Sequence, residues 1–239
     1  MIRNIAVIGS SGAIGSAMVR QLAHVYPDAV LHAFSRSGCA QSGGGIVGHS
    51  LDMESEDGIA AAAEMASKDM PLDLVFVAIG MLHDREVQPE KALRDLSAEK
   101  LQRLFFVNTI LPALLMKHFL PKLNRKERSV FAALSARVGS ISDNRLGGWY
   151  SYRASKSALN MIIRNAAIEV GRRNKQAVIV GMHPGTVDSA LSQPFQSNLP
   201  AGQLFTADHS AVKMLDVLLS LSSDQSGRCF AWDGQEIAP

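Results

Sequence analysis

Ile8-Gly9-Ser10-Ser11-Gly12-Ala13-Ile14-Gly15 is the stretch on which the fold turns. An apolar run over residues 2–8 ends here, and a segment of helical period over 13–25 begins. Glycines let a backbone turn tightly, approach a pyrophosphate closely and pack a helix against a sheet, and the helix N-terminus then faces the phosphates. The spacing is neither G-x-G-x-x-G nor a P-loop, since no Gly-Lys-Ser/Thr follows. A plain structural turn would use the same residues. A first strand, three glycines and then a helix is nevertheless the dinucleotide context, with Gly9, Ser11, Gly12, Ile14 and Gly15 as candidate contacts.

The next strand should present the residue that reads the adenosine ribose. An NAD site wants Asp or Glu about twenty residues after the glycines, and an NADP site wants a nearby Arg. The strand ends Phe34-Ser35-Arg36-Ser37 with no acid in reach. A carboxylate would repel a 2′-phosphate, whereas Arg36 could clamp it bidentately, so NADP(H) is expected over NAD(H). Asp52, at the end of the third strand, could accept from the adenine amino group or serve only its own loop.

Outward from this turn, residues 30–34, 46–51, 72–79, 129–134, 177–182 and 229–232 also read as strands. Helices are expected at about 54–66, 98–120, 150–173 and 208–221. Strands apolar on both faces, alternating with helices, imply a doubly wound parallel α/β sheet of about seven strands, covered on both sides, in one domain over 1–239. The irregular stretch from Thr186 to Thr206 is long enough to be a lid or binding loop. The chain has 239 residues, 47% of them apolar, with 24 Lys plus Arg against 22 Asp plus Glu. A net charge of +2 gives no reason to expect nucleic acid. No apolar run suggests a span across a membrane, and no histidine spacing suggests a metal. Cys39 and Cys229 form no framework and read as free thiols, so a cytoplasmic protein without a signal peptide is expected.

Tyr152 and Lys156 stand four residues apart in the first turns of a helix, which puts both side chains on one face. A fixed ammonium favours the phenolate and is expected to lower the tyrosine's pKa. Tyr150, six residues from Lys156, lies off that face. Alone, such a pair is common by chance.

Four pieces in order resemble the short-chain dehydrogenase/reductase (SDR) family over essentially the full chain, with its C-factor-like and sniffer-type carbonyl reductase branches most similar. They are the glycine turn at 9–15, Asn108 in a long helix, Tyr152-x-x-x-Lys156, and Pro184-Gly185 after the sixth strand. The resemblance implies a Rossmann-like fold and NAD(P)-dependent oxidoreduction of a small carbonyl or alcohol substrate. It further implies Tyr152 as acid/base, Lys156 on the nicotinamide ribose, and Asn108 supporting a water relay. Pro184, Gly185, Val187 and Ser189 would receive the nicotinamide, and Gly80 is what remains of a family motif that here reads Val77-Ala78-Ile79-Gly80. The middle glycine of the family turn is Ala13, leaving Gly12 to make the tight turn.

The family's catalytic serine stands three residues before a glycine at the end of the fifth strand. Counting from Gly139 puts Ala136 there, one residue after Ser135. One step along a strand reverses a side chain. Strand ends are irregular, so Ser135 is the candidate, with Ser140 behind it. The substrate pocket is expected from 81–84, 145–149 and the loop after Thr186, which carry Met81, Leu82, Leu146, Trp149, Leu191 and Phe195. His83 and Arg145 could orient a polar group. A homodimer or homotetramer through the two long helices follows from the same resemblance. A cofactor-binding signalling protein of C-factor type with little catalysis is the competing expectation.

Overall fold

Ile5, Ala6, Val7 and Ile8 are wholly buried, so the first strand has no solvent face. In the computed structural model, which describes residues 2–38, 44–198, 200 and 202–239, this is β1 (Asn4–Ile8). Its side chains alternate between two cores. Ile5 and Val7 pack with Met18, Leu22 and Leu215 on one face, while Ala6 and Ile8 pack with Leu115, Phe119 and Ile163 on the other. A strand buried on both sides must be covered by helices on both sides, which is the doubly wound arrangement.

The remaining elements follow in chain order: α1 (Ala13–Val25), β2 (Val30–Ser35), β3 (Ile46–Ser50), α2 (Glu56–Ala66) and β4 (Leu74–Val77). After them come α3 (Ala98–Phe105), α4 (Leu111–Phe119), β5 (Ser129–Leu134), α5 (Tyr150–Gly171) and β6 (Ala177–His183). β7 (Thr186–Val187), β8 (Leu204–Phe205), α6 (Ala207–Ser220), β9 (Cys229–Ala231) and β10 (Glu236–Ile237) complete the chain. The main sheet has eight strands in the order β10-β9-β6-β5-β4-β1-β2-β3, parallel except for β10 against β9. The seven expected strands are present, and the added β10 is only two residues long, too short to show a period.

Two local structures depart from expectation. The helix expected over 98–120 is continuous but contains a π turn at Phe106–Ile110, which joins α3 to α4. The run Ala98–Lys122 is long and apolar enough, by length and composition, to cross a bilayer. It is nevertheless a core helix, with Leu104, Leu111, Leu115, Met116 and Phe119 buried. The stretch after Thr186 is not wholly irregular, since β7 pairs with β8 in parallel and a 3-10 turn spans Gln193–Asn198.

Strand order reverses where β1 lies between β4 and β2, and a crevice opens beyond the carboxyl ends of strands at such a point. The glycine turn sits there. Gly9 has φ +86°, and a Cβ on it would come within 2.5 Å of the Ala78 carbonyl oxygen. Gly9, not Gly12, therefore makes the tight turn, because Gly12 is extended at φ −73° and its Cβ would meet only the Gly9 oxygen at 3.5 Å. Gly15 is needed for approach, since its Cβ would fall 2.1 Å from the same oxygen. Ala78 closes against both glycines, which gives the Val77-Ala78 departure a physical role. Gly9→Ala should cost about 2–5 kcal/mol from the left-handed backbone and the clash. Gly12→Ala should cost under about 1 kcal/mol, the ordinary size of an unstrained substitution. Urea denaturation of the two variants checks this; equal losses would contradict it.

Candidate active site

Asn108 lies in the π turn and is completely buried. Its Oδ1 accepts from the Met81 backbone N–H at 2.8 Å, and its Nδ2 donates to the Met81 carbonyl at 2.8 Å and to Ser155 Oγ at 3.1 Å. Thr109 Oγ1 donates to the Ser155 carbonyl at 2.8 Å. The extra residue of a π turn brings these two neighbours to bear together on α5 and on the loop after β4. The amide is thus spent largely on protein groups. A Cβ on Gly80 would stand 3.7 Å from Asn108 Oδ1 and 3.6 Å from Lys156 Nζ, so both polar groups converge on that glycine.

Lys156 is 1% exposed, and its Nζ donates to the Leu134 carbonyl at 2.8 Å. It stands 5.9 Å from the centroid of the Tyr152 ring, which is also buried. The expected direction for the tyrosine is reversed. Burial pushes the Tyr152 phenol up to about 12 and the Lys156 ammonium down to about 7. Desolvation disfavours both charged forms, and at this separation it outweighs their mutual attraction. Tyr152 is held as a protonated phenol.

Ser135 Oγ donates to Asn160 Oδ1 at 2.6 Å, an oxygen that also receives the Cys229 thiol at 3.0 Å. Ala136 instead joins Leu82, Val87, Leu104 and Tyr152 in one apolar cluster. Just beyond β5, with Ala136 still extended at φ −153° and ψ 147°, it is the methyl of Ala136 and not the hydroxyl of Ser135 that joins Tyr152. Ser140 is buried elsewhere; its Oγ accepts from the Asp143 N–H at 3.1 Å and is 3.5 Å from the Pro239 carbonyl. Cys39 lies outside the described residues.

A cavity of about 600 Å³ gathers most of the remaining candidates. Ser11, Gly12, Ile14, Gly15, Gly80, Ser135, Tyr152, Lys156, Pro184, Gly185, Val187 and Ser189 all line it. Gly185 is required at φ +77°, where a Cβ would strike the Phe205 ring at 2.7 Å. Leu82, Trp149, Leu191 and Phe195 supply an apolar wall. His83 donates through Nε2 to the Leu191 carbonyl at 3.0 Å and packs edge-on to Phe195. Leu146 is 92% exposed and Arg145 is exposed, so neither joins the pocket. Arg36 is exposed two residues beyond Phe34, whose carbonyl accepts from Gly9 and Ser10 N–H. Asp52 Oδ1 accepts from Glu54 N–H at 3.0 Å and so serves its own loop.

Two features of this site carry no sequence signal. Trp149, the left-handed residue that precedes α5 at φ 50° and ψ 42°, donates its N–H to the Glu90 carbonyl at 2.6 Å. The buried Glu90 carboxylate accepts from the Ser151 hydroxyl and from the Ser151 N–H at 3.2 Å. This latch holds the indole 5.0 Å from the Phe195 ring and 6.3 Å from the Tyr152 ring. The second feature is His183, at the end of β6, which also lines the cavity. Burial and the Arg137 guanidinium hold its ring neutral, down to about 4.

The cradle at Gly9 and Gly15, opening on a cavity of about 600 Å³, fits a dinucleotide. A family model described as short chain dehydrogenase matches residues 3–200. The chain is 29% identical over 232 residues to 1-hydroxy-2-glutathionyl-2-methyl-3-butene dehydrogenase of Rhodococcus sp. (strain AD45), covering 96% of each. It is 34% identical over 146 residues to C-signal of Myxococcus xanthus, covering 61% of this chain and 82% of that one. Among solved structures, the NADPH-bound carbonyl reductase from chicken fatty liver superposes with a TM-score of 0.83 at 25% identity, over 100% of this chain and 94% of the other.

The Lys156 shift has a consequence for stability. Its proton is held with a pKa of about 7 in the fold against an ordinary value of 10.5, so between these the unfolded chain binds more protons and stability rises with pH. Below about pH 7 the burial penalty is present in full. Relative to Lys156→Met, the urea midpoint of the unaltered chain should climb between pH 7 and 9. A difference that stays flat across that window contradicts the assignment.

Proposed function

The chain belongs to the short-chain dehydrogenase family, and from that premise we propose that this oxidoreductase reduces a small uncharged carbonyl compound with NADPH, using Tyr152 as the acid. One observation carries the reading: Tyr152, a buried phenol held protonated, opens on the same cavity as the glycine turn, with Lys156 behind it. A phenol that keeps its proton at neutral pH suits the reductive direction, where the substrate oxygen gains charge and needs a donor. Bound NADPH supplies the hydride. Tyr152 hydrogen-bonds the substrate oxygen and gives up its proton from Oη. Lys156 at Nζ, near neutrality in its pKa, holds the proton that replaces it. Asn108 fixes Met81, and so Gly80, beside Lys156. Pro184, Gly185, Val187 and Ser189 receive the nicotinamide end, and the glycine turn receives the phosphates.

Arg36 follows by two residues Phe34, whose carbonyl accepts from the glycine turn, and the end of that strand carries no carboxylate to oppose a 2′-phosphate. The chicken carbonyl reductase noted above is described as NADPH-bound. The wall formed by Leu82, Trp149, Leu191 and Phe195 suits an uncharged, partly apolar substrate. A cytoplasmic location belongs to the same proposal. So does pairing of two copies through the long helices, whose exposed Ile110, Met161 and Ile168 would be covered.

A second reading, a cofactor-binding signalling protein with little turnover, rests on Ala136 in place of a hydroxyl and on the likeness to C-signal. The two separate in a screen of NADPH oxidation against small aldehydes, ketones and quinones. Turnover supports the reductase; a tight NADPH complex inert to all of them supports signalling. Tyr152→Phe should abolish turnover while NADPH still binds, and reductase activity retained in that variant would sink the assignment. Arg36→Ala should weaken NADPH by about tenfold or more, the scale of one lost hydrogen bond to a charged group, with NADH little changed. Equal losses for both cofactors would remove Arg36 from the 2′-phosphate.

A further inference from the structure

The position beside Tyr152 where a second donor is expected carries the methyl of Ala136, and the Ser135 hydroxyl is committed to Asn160. A substrate oxygen gathering negative charge is stabilised best by more than one hydrogen bond. The neighbouring strand offers a group that can supply it. The Ser135 N–H donates to the Met182 carbonyl at 2.8 Å, which brings His183, the next residue on β6, to the rim of the same cavity. Its Nδ1 is one of two side-chain polar atoms among the described residues that are sealed from solvent without a partner, the other being Asn4 Oδ1. Nε2 is not sealed in this way, and His183 is a lining residue of the cavity.

A ring nitrogen sealed from water usually finds a partner, and an unmet one marks capacity that the fold does not use. With Nδ1 enclosed and lacking an acceptor, a proton there would leave an unsatisfied buried N–H. Placed on Nε2, the same proton sits on the unsealed nitrogen of a cavity-lining residue. Arg137 and Asp233 are the charged groups that act on the ring, and the balance leaves it neutral, with a single N–H. We infer that His183 is a catalytic residue whose Nε2–H donates the second hydrogen bond to the substrate oxygen, replacing the hydroxyl absent at Ala136. No proton is transferred from the imidazole. Tyr152 remains the acid, and the inference rests on the carbonyl reductase reading given above.

The test uses the full chain with NADPH and 4-nitrobenzaldehyde, together with a panel of uncharged ketones, taking the fastest substrate forward. His183→Ala should lower kcat by about a hundredfold, the scale of losing one oxyanion donor, with NADPH affinity unchanged. His183→Gln, which keeps an N–H donor, should retain an intermediate rate and also covers the case in which the alanine variant fails to fold. The decisive variant is Ala136→Ser combined with His183→Ala. A hydroxyl beside Tyr152 should recover at least tenfold of the lost rate, which a merely structural histidine would not allow. Unchanged kcat in His183→Ala, a loss confined to NADPH affinity, or no recovery in the double variant would each overturn the inference while leaving the reductase reading intact. No turnover by the unaltered chain on any of the panel would overturn the reductase reading and this inference with it.

Discussion

The hydrogen-bonding demand of one buried amide organises the catalytic end of this molecule. Asn108 has no access to water, so its acceptor and its donor must both be satisfied within the protein. Met81 satisfies both ends through its backbone, and Ser155 takes the remaining N–H. Three segments distant in sequence are thereby tied at one point: the loop after β4, the π turn and the second turn of α5. Tyr152 and Lys156 flank Ser155 on α5, so the amide that holds the loop also fixes the turn that carries them.

Charge in this site is governed by burial more than by pairing. The sequence spacing suggests an ammonium that stabilises a phenolate. In the fold, both groups are removed from water while Nζ turns to the Leu134 carbonyl, 5.9 Å from the phenol ring. Each group is therefore pushed toward its neutral form. His183 follows the same rule. The cleft thus gathers polar groups that burial pushes toward their neutral forms, and the Glu90 carboxylate is satisfied by Ser151 and the first turn of α5.

What was legible in the sequence follows from the range of the forces involved. The glycine turn, the strands buried on both faces and the Tyr152–Lys156 spacing are written in local residue types, and they appear where those types put them. The turn falls at Gly9 and not at Gly12, because a left-handed φ cannot be told from an extended one by the letter G. Ser135 is a candidate on the ground that strand ends are irregular, yet its hydroxyl turns to Asn160. The π turn is not legible because the segments on either side each keep a helical period, and the five residues between them are too few to show a different one. Glu90 and His183 gave no signal at all. Their roles depend on what lies across the fold from them, a left-handed Trp149 in one case and an empty position at Ala136 in the other.

The π turn also makes one helix answer to two masters. Upstream of it, Leu104 packs with Tyr152 and Ala136 at the cleft; downstream, Leu115 and Phe119 pack beneath the sheet. At 3.6 residues per turn, each residue added to or removed from the intervening segment rotates one half against the other by about 100°. The segment 106–110 can therefore exchange side chains more freely than it can change length. Its winding, rather than its composition, is the quantity inherited by any chain that keeps this cleft and this core in the same helix.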